Sequence, residues 1–189
     1  MVETFTSIPA PRAIDFLETR DASYLLITRD PGQPVRQLLN TMTNEQVEGI
    51  VTDLKYYVAE LRILDWRIPD SQSEELRFQT ETKFYNYITK NMADDTRRYA
   101  AKLHTVSHAI VFTHSDLNPR NILGENGKIT GIVDWKSTGF FPEYLEYTKM
   151  HYTVRSAIQW LADVVDQLFE GYRDEVHVEN MLFDLSGPF

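Results

Sequence analysis

Between residues 109 and 135 the chain alternates apolar runs with polar turning ones in an order that leaves few ways to fold. Ala109-Ile110-Val111-Phe112-Thr113 reads as a strand, and the polar stretch His114-Ser115-Asp116-Leu117-Asn118-Pro119-Arg120-Asn121 follows it. Next come a short strand at Asn121-Ile122-Leu123, a tight turn at Glu125-Asn126-Gly127-Lys128, and a strand, Ile129-Thr130-Gly131-Ile132-Val133, that ends on Asp134-Trp135. The turn requires the two strands beside it to fold back on each other. Asp116, Asn121 and Asp134 are thereby expected around one cavity.

The polar loop has the spacing H-x-D-x-x-x-x-N. Such a loop puts a carboxylate beside an attacking hydroxyl, and five residues on a carboxamide oxygen that can ligate magnesium. Asp116 fits the first role and Asn121 the second, while Asp134 brings another carboxylate to the same magnesium-nucleotide site. His114 is expected to brace the loop by hydrogen bonds, and Arg120 to meet a phosphate or a surface carboxylate. Short His-x-Asp matches arise by chance and Asp-Pro-Asn clusters often mark plain turns, but the ordered strand context favours a site for moving a phosphoryl group.

These residues, with Gly139 and Phe141-Pro142-Glu143-Tyr144-Leu145-Glu146-Tyr147, resemble the aminoglycoside phosphotransferase and choline kinase-like family in its fungal form. The likeness runs forward through Ile8-Pro9-Ala10-Pro11 and through Tyr24 to Gly32, which is similar to the last N-lobe strand and hinge of that family. It implies an α+β, protein kinase-like fold: a β-hairpin remnant of the N-lobe with the hinge over residues 1–34, and a mainly helical C-lobe over 35–189. It also implies ATP- and magnesium-dependent transfer to a hydroxyl of a small molecule, with Asp116 catalytic and Asn121 and Asp134 holding metal and nucleotide.

The departures from the family pattern are specific. Members carry, before the hinge, a nucleotide-covering loop, a phosphate-binding lysine and a glutamate that positions it. Here the hinge-like segment arrives by residue 30, the first lysine is Lys55, and the only glycine before Gly49 is Gly32. Weak binding of ATP with magnesium is the expectation, and a catalytically impaired, pseudokinase-like binding or interaction module is the alternative. Lys136 also stands where members often place an acidic residue after the Asp-Trp pair.

A net charge of −9 argues against nucleic acid as a partner and suits a cationic small molecule. Carboxylates gather late, at Asp163, Asp166, Glu170, Asp174, Glu175, Glu179 and Asp184; a solvated helix face is the simplest reading, although the resembled family uses this region to hold amino-bearing substrates. The absence of cysteine is compatible with a reducing compartment. No apolar run nears the roughly 20 residues of a membrane span and the start lacks signal-peptide character, so a cytoplasmic protein without membrane contact is expected.

Two β-rich runs, Ala13 to Leu17 and Tyr24 to Thr28, predict a hairpin whose open edges invite a two-fold homodimer. Asp30-Pro31-Gly32-Gln33-Pro34 breaks the chain there. Thr43 and Gln46 have capping-box spacing before a helix carrying Val47, Ile50, Val51, Leu54, Val58 and Leu61 at core intervals. Further helices are predicted over Ser73 to Met92, Asp95 to His108, from Pro142, and Thr153 to Tyr172, with a loop at Asp65 to Asp70. His104 and His108, four apart, are expected to pack or hydrogen-bond rather than to bind metal.

Overall fold

The helix Asn44–Arg62 organises the lobe, and its start is fixed by local chemistry. Thr43 accepts from the Gln46 N–H while the Gln46 side chain accepts from the Thr43 N–H, the reciprocal cap that the spacing predicts. Ile50, Val51, Leu54, Val58 and Leu61 then recur on one face, and all are buried. At about 25 cal/mol per Å² of apolar surface removed from water, each contributes roughly 2 kcal/mol.

The computed structural model describes residues 2–64, 78–90, 92–103, 106–153, 160, 164–169 and 171–186. Along them run α1 (Val2–Phe5), β1 (Ala13–Glu18), β2 (Ser23–Ile27), β3 (Gln33–Pro34), α2 (Val35–Leu38), α3 (Asn44–Arg62), α4 (Glu81–Ile88), α5 (Asp94–Leu103) and β4 (Ile110–Thr113). Then follow β5 (Ile122–Glu125), β6 (Lys128–Ile132), β7 (Gly139–Pro142), α6 (Leu145–Thr153) and α7 (Arg173–Ser186). The architecture is mixed α+β, with the strands in three small antiparallel groups: β1-β2, β3-β5-β6 and β4-β7.

The β5–β6 hairpin lies against α3. Asn126 and Gly127 both take positive φ, +51° and +77°, which a two-residue turn of this hand requires. A side chain at Gly49 would bring its Cβ within 2.3 Å of the Gly127 carbonyl oxygen, so helix and turn touch backbone to backbone. Asp53 of α3 accepts from the Ile129 N–H at 3.0 Å and pairs with Lys128 at 3.1 Å. Ile122 and Ile132 are fully buried in the core below.

The hairpin near the N-terminus is placed differently. Strands β1 and β2 pair over Ala13 to Ile27, yet every residue in both is exposed. The chain on either side of it is anchored: the Ile132 N–H donates to the Pro9 carbonyl at 2.7 Å, Thr130 Oγ1 donates to the Pro31 carbonyl at 2.7 Å, and β3 pairs with β5.

Four boundaries differ from the sequence-based expectation. Helix α4 starts at Glu81, because Thr80 accepts from the Lys83 N–H as its cap; Phe78 precedes it in non-helical chain, and residues 73–77 lie outside the described ones. Helix α5 is described over Asp94–Leu103, and Ser107 and His108 approach β4 in non-helical chain, the His108 N–H donated to Glu81 at 2.9 Å. Pro142 does not open a helix: it closes β7, whose residues pair with β4 one for one. Helical structure around 164–168 stops at Leu168, Phe169 is extended, and α7 begins at Arg173. The expected loop at 65–70 and His104 fall outside the described residues.

Candidate active site

Strand β4 delivers the chain to His114, which is fully buried. Its Nε2–H donates to the Val133 carbonyl at 3.1 Å and its Nδ1 accepts from the Asp116 N–H at 3.2 Å. The ring therefore ties the polar loop to the end of β6. Burial pulls its pKa down to about 4, against the opposing influence of the Val133 carbonyl and of the Asp116 and Asp134 carboxylates. Trp135 meets it edge-on at 4.5 Å, its own Nε1–H given to the Ile132 carbonyl at 2.7 Å. Both carboxylates thus bear on one neutral imidazole.

Two carboxamides hold the Asp116 carboxylate. Asn118 Nδ2 donates to Oδ1 at 2.7 Å, and Asn121 Nδ2 donates to Oδ2 at 2.8 Å and to the Asp116 carbonyl at 3.0 Å. The Val133 N–H donates to the Asn121 carbonyl at 2.9 Å, which fixes Asn121 beside the chain that leads from β6 to Asp134. Hydrogen bonds thus join Asp116 to Asn121, and Asn121 through its carbonyl to Val133, the chain neighbour of Asp134. Ser115 and Asp134 both have left-handed backbones, φ +63° and +67°, a conformation that costs a non-glycine residue energy and concentrates at functional sites. Arg120 turns to Asn118, donating its Nε–H to Oδ1 at 3.2 Å.

Sequence reasoning missed two residues that shape this loop. Asn118, almost fully buried, orients Asp116 and also accepts the Arg120 N–H at 2.9 Å. Glu146, at the start of α6, receives the N–H groups of His114, Ser115 and Leu117 at 2.7, 3.0 and 3.3 Å. Burial pushes the Glu146 carboxyl up to about 7, while the three N–H donors pull it back. A lone acid between Tyr144, Leu145 and Tyr147, all buried, was the available signal.

The late carboxylates divide. Asp166, Asp174 and Asp184 are exposed, whereas Glu179 is buried. Burial pushes Glu179 up to about 7, opposed by Lys149 and by the hydrogen bond it shares with Tyr144. Tyr144 and Tyr85 share a hydroxyl–hydroxyl bond, and Tyr85 also donates to Glu81 at 3.1 Å. His108 bridges Glu81 at 2.9 Å and Glu175 at 3.2 Å, a hydrogen-bonding role. Burial lowers the pKa of Lys149, and Glu179, Asp116 and Glu146 oppose that shift. A cavity of about 460 Å³ lies between α4 and α5, and none of Asp116, Asn121 or Asp134 lines it.

The model of the phosphotransferase enzyme family known as APH matches residues 5–182. The chain belongs to this family. No curated protein is significantly similar in sequence. Among solved structures, the GDP and kanamycin complex of APH(2")-IIia superposes with a TM-score of 0.68 at 13% identity, covering 96% of this chain and 67% of that one. Aminoglycoside phosphotransferase APH(4)-Ia gives 0.59 at 15%, with 97% and 73% covered. ADP-bound APH(2'')-Ib gives 0.57 at 10%, with 100% and 73% covered. The fold of this phosphotransferase-family chain is thus the kinase-like one of aminoglycoside phosphotransferases, and nothing in the described residues favours the catalytically impaired alternative. No described helix is long and apolar enough to cross a membrane.

The donor set suits magnesium. Asn121 spends its Nδ2 on Asp116, which leaves Oδ1 as a hard oxygen donor, and Asp134 offers a carboxylate. Among the described residues no group of three or more histidine or acidic side chains forms a metal cage. Magnesium is commonly held by one or two protein groups, with water and phosphate oxygens completing its shell.

Proposed function

We propose that this chain transfers the γ-phosphoryl group of ATP to a hydroxyl of a small cationic molecule. The observation that carries this reading is the clamping of Asp116 by Asn118 and Asn121 at 2.7 and 2.8 Å, on a loop tied through His114 to Val133, the residue before Asp134. A carboxylate so held has a fixed direction, which is what positioning an acceptor hydroxyl for in-line attack requires.

In this scheme Asp116 orients the acceptor hydroxyl and takes its proton as the oxygen bonds to the γ-phosphorus and the bond to ADP breaks. Asn121 Oδ1 and the Asp134 carboxylate hold magnesium. When bound, that ion neutralises charge on the phosphates. Neutral His114 keeps the loop in register, and Glu146 gathers its amides. The similar structures that hold a nucleotide together with kanamycin or hygromycin B support a nucleotide and an amino-bearing acceptor. The net charge of −9 points the same way.

In the same proposal residues 1–34 form the hinge and the N-lobe hairpin, residues 35–189 form the helical lobe, and the protein works in the cytoplasm. A second copy of the chain covers the bare hairpin, since an isolated two-stranded sheet is at best marginal in water. Calorimetric titration with ATP and magnesium, followed by a phosphoryl-transfer assay over a panel of amino-bearing alcohols, tests the central claim. Binding that weakens in Asp134→Ala supports it. Binding indifferent to both magnesium and Asp134 defeats it.

A further inference from the structure

Lys136 follows the metal carboxylate by two residues, and its ammonium lies 3.1 Å from Asp134 Oδ2. Its side chain is 73% exposed, so this is no buried counter-charge that the fold requires. Exposed pairs of this kind contribute little to stability. One contact also leaves donors to spare, because an ammonium has three.

Were Asp134 to hold magnesium together with a phosphate, that phosphate would lie next to a carboxylate already carrying the Lys136 ammonium, and the exposed four-carbon stem of Lys136 could turn the ammonium to it. Lys136 differs from the neighbouring cations in what it already holds: Arg120 gives its Nε–H to the Asn118 carboxamide, Lys149 is partly buried under the influence of Glu179, Asp116 and Glu146, and Lys136 is paired with the Asp134 carboxylate. We infer that Lys136 is the phosphate-binding cation of this site, bridging the Asp134 carboxylate and a non-bridging oxygen of a nucleoside triphosphate. This rests on Asp134 being the magnesium-holding carboxylate.

The test compares the full chain with Lys136→Met, Lys136→Arg and Asp134→Asn, by calorimetry with ATP at saturating magnesium and by manganese binding without nucleotide, read from electron paramagnetic resonance. Lys136→Met should weaken ATP binding about five- to twentyfold and Lys136→Arg about twofold or less, as expected for loss or retention of a charge-assisted bond. Manganese alone should bind Lys136→Met at least as tightly as the parent, since no ammonium then competes for Asp134. Unchanged ATP affinity in Lys136→Met, alongside weaker binding in Asp134→Asn, overturns this inference alone. ATP binding indifferent to Asp134→Asn, or absent from the parent, overturns it together with the proposed metal role. Inorganic tripolyphosphate serves as a control ligand: equal sensitivity to Lys136→Met places the contact on the phosphate chain, and insensitivity rejects that placement.

Discussion

The two hairpins of this chain share a local grammar and have opposite surroundings. In β1–β2, Ile14, Phe16, Leu17, Tyr24, Leu25 and Leu26 stand 57–60% exposed; in β5–β6, Ile122, Ile129 and Ile132 are buried under α3. Both are antiparallel pairs rich in β-branched, aromatic or aliphatic residues. Strand-forming pattern thus specifies pairing, while burial depends on what arrives from far along the chain. The candidate site is built around the hairpin that something covers.

The largest effect should fall on chemistry at the covered end. Asp116→Asn is expected to lower phosphoryl transfer by about 10²–10⁴-fold, the range for losing a positioned proton acceptor, while Leu17→Ser on the bare hairpin leaves the rate within about twofold. Steady-state kinetics on both variants would decide, and equal losses would erase the distinction.

Stability should divide the hairpins in the same sense. Ile132→Ala opens a cavity in the core and should cost about 2–5 kcal/mol, whereas Phe16→Ala should stay within about 0.5 kcal/mol in a monomer. Urea denaturation measures both. A larger cost at Phe16 that grows with protein concentration is the mark of the second copy covering the first hairpin.

Acidity adds a further contrast, because every residue of the first hairpin's strands is exposed while His114, Glu146 and Glu179 are buried. His114, depressed to about 4 in the folded chain, takes up its proton earlier when unfolded, so its contribution is present above about pH 6.5 and is lost as pH falls toward 4, roughly 3 kcal/mol in all. Glu146 and Glu179, raised to about 7, act oppositely: they favour the fold below about pH 4.5 and withdraw that support as pH rises through 7. Glu179→Gln should therefore flatten the fall in stability between pH 5 and 7, followed by denaturant melts at each pH. A fall as steep as the parent's would place its source elsewhere.

The smallest effect concerns association. Light scattering should show a dimer, and Leu26→Pro, which removes a strand N–H, should weaken it by about 1–3 kcal/mol. A dimer indifferent to that proline would move the interface away from the hairpin.

Much of this arrangement was legible because it is local. The Thr43/Gln46 cap, the Asn126-Gly127 turn, the breaker at Gly32 with φ +91° and the spacing from His114 to Asn121 all express short-range constraints, and each lies where the sequence predicts. What was not legible is long-range. Strand β7 is bracketed by Gly139 and Pro142, residues that read as loop, and exists because β4 pairs with it from nearly thirty residues away. Glu146 looks like one more surface acid until the amides of residues 114–117 are seen to converge on it.

That convergence also bears on how the chain folds. The amides of His114, Ser115 and Leu117 find their acceptor only when α6 docks, about thirty residues after the loop is made. Closing such a segment costs entropy before any contact returns it. The catalytic loop should therefore acquire its shape late, after α3 and the β5–β6 hairpin have met, so that refolding monitored at Trp135 would lag behind the gain of helix.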